Sequence, residues 1–293
     1  MSGDSIVMGA DIGGSHITTA RVDLEKKQMI TASLKRCGVD SMAAAQQVIG
    51  EWAQCIRSAA GEDRFSTVCL AMPGPFDYEE GICLIQDQQK YPMLYGLNVK
   101  KLLAAALDIP ASAIHIYNDA ACFLQGEVFC GSVSGFDRVI GVTLGTGLGS
   151  ATYVNGIAHS ADLWNMPFNN GIAEDYLSGR WFLKNYDTST GNTIEGVREL
   201  AALAPANEWV RNLFDEFGRN LAIFLNTFIS ASGGVQAVVI GGNIAQAFTL
   251  FKNTLITGVQ QHHPTITIAP SELGEQAALI GAGSFWHHQQ STV

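Results

Sequence analysis

The chain has 293 residues, is 47% hydrophobic and 15% charged, and sets 17 basic against 27 acidic side chains for a formal net charge of −10. This composition excludes a disordered chain, and the acidic balance argues against nucleic acid or an anionic membrane as the main partner. The length allows about two domains with a large core.

The apolar run Ile6-Val7-Met8-Gly9-Ala10 predicts a first strand. It meets Asp11-Ile12-Gly13-Gly14-Ser15, then an alternating β-branched stretch from Ile17 to Asp23 and a turn over Leu24 to Gln28. The first half therefore opens as a three-strand meander. A helix is expected over Met42 to Ala60, with Val48, Ile49, Trp52, Ile56 and Ala59 as its apolar stripe and Gly61 as its cap. Thr67 to Met72 is a continuous apolar run broken by Pro73-Gly74-Pro75, the pattern of a buried parallel strand that empties into a site loop. Gly81 to Ile85 reads as a hairpin arm, Val99 to Leu107 as a helix stopped before Pro110, and Ile114 to Tyr117 as a short strand. Asn118-Asp119 then opens a helix running from Ala120 to about Phe129.

The second half repeats the opening. Arg138-Val139-Ile140-Gly141-Val142-Thr143 leads into Leu144-Gly145-Thr146-Gly147-Leu148-Gly149, then an alternating stretch from Ser150 to Val154 and the turn Asn155-Gly156. Helices follow around Glu174 to Asn185, Thr193 to Ala204 and Glu208 to Ser230. Val235 to Ile240 is a buried strand ending in Gly241-Gly242-Asn243, and a final Ala/Gly-rich helix covers about Glu275 to Trp286. With no low-complexity linker, two α/β domains are expected around a central cleft. One covers residues 1–117, joined by the helix at about 275–290, and the other residues 118–274.

The six cysteines form no CxxC pair, so no zinc ribbon or redox motif is visible, and several sit in apolar runs. They read as free buried thiols in a reducing cytosol. The absence of a secretory pattern or a membrane-spanning run gives the same expectation of a cytoplasmic protein.

Glycine lets a backbone approach a ligand closely, and successive N–H groups can converge on an anion. Two such turns, Gly13-Gly14-Ser15 and Gly145-Thr146-Gly147, would hold a polyphosphate from both sides. The Gly145 turn is not a dinucleotide fingerprint, since its third glycine is misplaced and a strand follows it. Asp11 reads as a turn residue or as a ligand of Mg²⁺ through water. Asp119 in isolation reads as an N-cap. Between two phosphate-type loops, the same carboxylate can take a proton from an attacking hydroxyl. Gly241-Gly242 reads as a tight turn or as room for an adenine ring, with Asn243 capping the next helix.

Taken in order and spacing, these segments resemble the ROK family (repressors, open reading frames and kinases) of sugar kinases, nearly end to end. The resemblance rests on Asp11 to Ser15, Pro73-Gly74-Pro75, Asn118-Asp119-Ala120, Leu144 to Gly149, Glu174 to Gly179 and Gly241-Gly242. It implies two actin-like (ribonuclease H-like) domains and transfer of the ATP γ-phosphate, with Mg²⁺, to a hexose or N-acetylhexosamine hydroxyl. It makes Asp119 the base. Asn118, Glu174 and Gly74 then belong to the sugar site, and Asp11, Gly13, Gly14, Ser15, Gly145, Thr146, Gly147, Gly241, Gly242 and Asn243 to the nucleotide site. A homodimer is left open.

There are two departures from the family pattern. Its Glu-x-Gly-His segment reads Asp162-Leu163-Trp164-Asn165 here, so Asp162 and Asn165 stand where sugar contacts are expected. The family's cysteine-rich loop reads Phe168-Asn169-Asn170-Gly171-Ile172, which implies no zinc site. The chain starts almost directly on the first strand, so the DNA-binding branch of the family is not expected. A non-catalytic sugar- or nucleotide-responsive protein on the same fold is the alternative function.

Overall fold

Each half of the chain begins with a hairpin whose two strands are joined by a three-residue glycine turn. In the computed structural model, which describes residues 5–86 and 90–291, strand β1 (Ile6–Ile12) turns back antiparallel into β2 (His16–Asp23). The expected third strand is split in two. β3 (Gln28–Met29) and β4 (Lys35–Gly38) both pair with β2. Helix α1 (Ala45–Ala60) buries Val48, Ile49, Trp52 and Ile56 and ends at Gly61, where φ is +65°. It crosses the chain over to β5 (Val68–Met72), which pairs parallel to β1 and is buried at every residue. A small hairpin, β6 (Phe76–Asp77) and β7 (Ile82–Cys83), follows. Helix α2 (Val99–Leu107) then leads to β8 (Ile114–Asn118), parallel to β5, and helix α3 (Asp119–Cys130) starts directly from that strand.

The second sheet repeats this path. β9 (Val139–Leu144), β10 (Leu148–Val154) and β11 (Ile157–Ser160) form the antiparallel meander, with Asn155 and Gly156 both at positive φ in the β10–β11 turn. A two-strand arm, β12 (Pro167–Phe168) and β13 (Gly171–Ile172), precedes four helices: α4 (Ala173–Tyr176), α5 (Gly179–Thr190), α6 (Val197–Leu203) and α7 (Glu208–Ser232). β14 (Ala237–Gly241) then pairs parallel to β9, and after α8 (Phe248–Gln260) the edge strand β15 (Thr267–Pro270) pairs parallel to β14. The sheet orders are β3-β2-β1-β5-β8 and β11-β10-β9-β14-β15, the same meander followed by two parallel strands.

The chain ends in α9 (Gln276–Ser291), which packs along α3. The two helix backbones come so close that a side chain at Gly126 or Gly281 would strike the facing carbonyl of Ala277 or Cys122. The compact units are accordingly Met1–Gly131 with Glu275–Val293, and Ser132–Gly274. The first division falls after Gly131 rather than after 117, because α3 packs with α9, and Asn118 and Asp119 therefore lie in the first unit. Each unit has its own apolar core, around Trp52, Ile56 and Leu103 in the first and around Phe182, Phe214, Phe217 and Phe251 in the second.

The cysteines differ from the sequence expectation. Cys37 on β4 and Cys55 on α1 form a disulfide across 18 residues. Cys69, Cys83 and Cys122 are buried thiols, and desolvation raises the pKa of each. The apolar context of Cys55 concealed its pairing, since β4 has to be laid beside α1 before the two sulfurs meet. Among the described residues, no helix is long and apolar enough to cross a membrane.

Candidate functional site

Parallel pairing brings the carboxyl ends of β1, β5 and β8 to one edge of the first sheet. Asp11 is in register with Ala71, and Met72 with Asn118. That edge carries Asp11 with its glycine turn, Pro73-Gly74-Pro75, and Asn118-Asp119. This is where α/β sheets generally bind ligands, since the loops there open outward from the strand ends.

Asn118, not Asp119, caps α3. Its Oδ1 accepts from the Ala121 amide at 3.0 Å. Its Nδ2 donates to the Tyr78 hydroxyl at 3.1 Å, and that hydroxyl donates to the Met72 carbonyl at 3.1 Å. A Cβ at Gly74 would lie 3.2 Å from the same hydroxyl. Tyr78 thus joins the Pro-Gly-Pro loop to Asn118. Sequence reading missed it, because a tyrosine in a polar turn carries no signal of its own. Asp119 is the first helical residue, half-buried, with Oδ1 accepting from the Ala120 amide at 2.8 Å. It needs no capping role, because its neighbour supplies one.

Asp11 is half-buried at the end of β1. Burial pushes its carboxyl up to about 7, the charges of Asp119 and Glu275 push the same way, and Arg36 opposes them. Arg36 and Glu275 form an exposed ion pair at 2.8 Å. Neither stood out in the sequence, as they are 239 residues apart. The turn itself is closed by the Gly13 amide donating to the His16 carbonyl at 2.9 Å, while Tyr91 donates its hydroxyl to the Gly13 carbonyl. Desolvation and Arg36 lower the His16 pKa, which favours the neutral ring.

In the second unit the equivalent turn is Gly145-Thr146-Gly147. The Gly145 amide donates to the Gly147 carbonyl at 3.0 Å, and the Gly179 amide donates to the Gly145 carbonyl at 2.7 Å. Glu174 holds it as well, accepting from the Leu148 amide at 3.0 Å and pairing with Arg180. A Cβ at Gly147 would come 2.6 Å from Glu174 Oε2, so glycine makes room for that carboxylate. At the end of β14, Gly242 has φ +83° and lies against the Leu144 backbone, which rules out a side chain. Gly242 is also the cap residue of the 3-10 turn Asn243–Ala247. The expectation that Asn243 caps the next helix is therefore corrected. Asn243 is the first residue of the turn, and the turn has no side-chain cap.

Asp162 has φ +50° and accepts from the Ser160 hydroxyl at 2.7 Å. It precedes a short 3-10 turn that ends at Asn165 and is tied to β10 by the Leu163 amide donating to Ser150 Oγ at 3.0 Å. Among the described residues, no group of three or more His, Cys, Asp or Glu side chains is arranged to hold a metal ion unaided.

The ROK family model matches residues 7–162 and 168–289. An N-acetyl-D-glucosamine kinase of Photobacterium profundum is 25% identical, over 89% of this chain and 91% of its own length. A glucokinase of Thermotoga maritima is 24% identical, over 95% and 96%. A ROK family glucokinase of Streptomyces griseus, solved with glucose and AMPPNP, superposes with a TM-score of 0.79 at 19% identity, over 96% of this chain and 98% of that one.

Proposed function

The chain belongs to the ROK family, and from that premise we propose that it is an ATP-dependent sugar kinase, passing the γ-phosphoryl group of ATP to a hydroxyl of a hexose or N-acetylhexosamine. The observation that carries this reading is the strand-end carboxylate pair. Asp119 follows β8 as the first residue of α3, whose cap is Asn118, and its charge is felt at Asp11 near the end of β1. A general base beside a phosphate turn is what transfer to a neutral hydroxyl needs.

In this mechanism Asp119 accepts the proton of the sugar hydroxyl as its oxygen bonds to the γ-phosphorus, and the bond to the β–γ bridging oxygen breaks to release ADP. Asn118, held by Tyr78, and the Gly74 loop orient the sugar. Gly13, Gly14 and Ser15 offer backbone amides and a hydroxyl to phosphate oxygens, and the turn Gly145-Thr146-Gly147 of the second unit carries the same types of donor. Gly241, Gly242 and Asn243 contact the adenine. Glu174 keeps the second turn in place through Leu148, in addition to any contact with the sugar ring.

The residues at Asp11 fit a divalent cation that arrives with the nucleotide. Mutual repulsion among Asp11, Asp119 and Glu275 is what a cation relieves, and phosphate oxygens and water complete the coordination of Mg²⁺. Asp11 would hold the ion through water, and the ion would supply neutralisation of phosphate charge. We assign this activity to the cytoplasm, where ATP is available.

Asp162 is one methylene shorter than the family's Glu, and Asn165 is always neutral where the family has His. The reading is therefore a substrate other than glucose, with these two positions setting preference. The test is ADP release across a panel of hexoses and N-acetylhexosamines, with Asp162→Glu/Asn165→His as the comparison enzyme. Sugar-dependent release abolished by Asp119→Asn is the expected result, together with a shift of kcat/KM toward glucose in the double variant. Tight sugar or nucleotide binding without turnover would replace the kinase with a non-catalytic binding protein.

A further inference from the structure

Gly14 does not have a positive φ, so its backbone does not demand glycine. Space does. A Cβ there would lie 3.0 Å from Cε of Lys90, 3.3 Å from its Cδ and 3.4 Å from its Cγ. The lysine stem is therefore laid along the phosphate-type turn that follows β1, and Nζ is one bond beyond the carbon that comes closest.

Residue 91 explains why the stem stays there. Tyr91 is fully buried, has φ +54°, and packs edge-on against Trp52 of α1 with ring centroids 5.2 Å apart. Its amide donates to the Ser41 carbonyl at 3.1 Å and its hydroxyl to the Gly13 carbonyl. The backbone that carries Lys90 is thus pinned to the core on one side and to the turn on the other. The tyrosine hydroxyl and the lysine stem touch consecutive glycines of that turn.

Among the described residues, no ion pair answers the charge at the end of this stem. Ion pairs form at Arg21–Asp63, Lys26–Asp23, Arg36–Glu275 and Arg180–Glu174, and Lys90 is in none of these. Among the described residues, the amides of Gly14 and Ser15 also donate to no backbone carbonyl. A half-buried cation and two uncommitted amides therefore meet at one turn of a chain whose net charge is −10.

We propose that Lys90 is a phosphate-binding catalytic residue of the first turn, its ammonium contacting the terminal phosphate of the nucleotide beside the Gly14 and Ser15 amides. This rests on the kinase reading above. Lys90 forms no covalent bond and moves no proton. The proton goes from the sugar hydroxyl to Asp119, and the P–O bond made at the sugar replaces the one broken at the β–γ bridge. The ammonium stabilises the charge spread over the equatorial oxygens of the transferring group in the transition state. As a point charge on a flexible stem, it can follow the phosphate along that path.

The test compares wild type, Lys90→Met and Lys90→Arg in the full chain, with calorimetric binding of AMPPNP and of ADP alongside steady-state sugar phosphorylation. A group that meets the terminal phosphate should favour AMPPNP over ADP. Lys90→Met should cut that preference about 10–100-fold, the range of a lost charge-assisted hydrogen bond, lower kcat, and leave KM for the sugar unchanged. Lys90→Arg should recover part of both losses. Gly14→Ala, which puts a methyl group where the stem lies, should reproduce the lost preference with the lysine still present. An AMPPNP-to-ADP ratio and a kcat within twofold of wild type in a folded Lys90→Met overturn the assignment and leave the kinase reading standing. A wild type that binds neither nucleotide and phosphorylates no sugar overturns both.

Discussion

The turns at Gly13-Gly14-Ser15 and Gly145-Thr146-Gly147 occupy the same place in two sheets of identical strand order, yet they are held differently. The first is surrounded by side chains that carry charge or hydrogen-bonding groups: Asp11 two residues before it, Tyr91 and Lys90 against it, and Arg36 and Glu275 near enough to shift Asp11. The second is tied down by backbone amides and by one carboxylate, Glu174, which is already paired with Arg180. Both turns are three residues long, because a short connection between paired antiparallel strands has few solutions. Their side-chain surroundings differ. We read the first turn as the place of chemistry and the second as a rigid cradle for phosphate.

The largest expected effect tests that division directly. Asp119→Asn should lower turnover roughly 10²–10⁴-fold with an unchanged melting temperature, because Asn118 caps α3. A stopped assay with unchanged circular dichroism is the expected pair of results. Turnover near wild type would remove the chemistry from the first unit.

Glu174→Ala probes the cradle. It leaves the Leu148 amide, on a residue only 5% exposed, without its acceptor. The cost of about 1–3 kcal/mol for an unmade buried hydrogen bond corresponds to roughly 10–100-fold. We expect it in KM for ATP, with kcat changed little. An equal fall in kcat would show that the second turn also acts in the transition state, and the contrast between the turns would collapse.

Gly242→Ala should act on stability. Its φ of +83° and the facing Leu144 backbone leave a methyl group no place. A cost on the order of 1–3 kcal/mol lowers the melting temperature by several degrees in a domain of this size, as scanning calorimetry would show. An unchanged melting temperature would mean that this loop is less tightly seated than the rest of the cradle.

The last effect concerns Asp11 and depends on pH. Its carboxyl is raised from 3.8 to about 7 in the fold. The folded state therefore keeps a proton that the unfolded chain has lost, and stability falls as pH rises between those values, then levels off. Asp11→Asn removes that loss. The variant should melt with wild type below pH 4, gain across pH 4–7, and stand a few degrees higher at pH 8. Mg²⁺ with nucleotide should narrow the gap at pH 8 by stabilising the ionised wild type. A pH-independent difference would mean that neither burial nor the neighbouring carboxylates raise the Asp11 carboxyl.

Much of this was legible in the chain. Val99–Leu107 has the bounds read from its apolar spacing, and the all-buried strands β5 and β14 stand out as apolar runs stopped by Pro-Gly-Pro and Gly-Gly. β15 was not legible, because Thr267–Pro270 is a half-exposed edge strand that includes a proline, and its hydrogen bonds come from one side only. Nor were Tyr78, Arg36, Glu275 or the Cys37–Cys55 bond, since each acquires a partner only when distant segments are laid side by side.

The sequence by itself determined where the backbone must turn and which residue types stand at the turns. Glycine, proline and apolar periodicity act over a few neighbouring residues and need no fold to be read. Only the tertiary structure decided which carboxylates confront each other, which asparagine caps the helix, and why positions 14 and 147 are glycine. Those are matters of distance between segments tens to hundreds of residues apart, and a Lys90 stem or a Glu174 carboxylate excludes a methyl group only once the fold has brought it there.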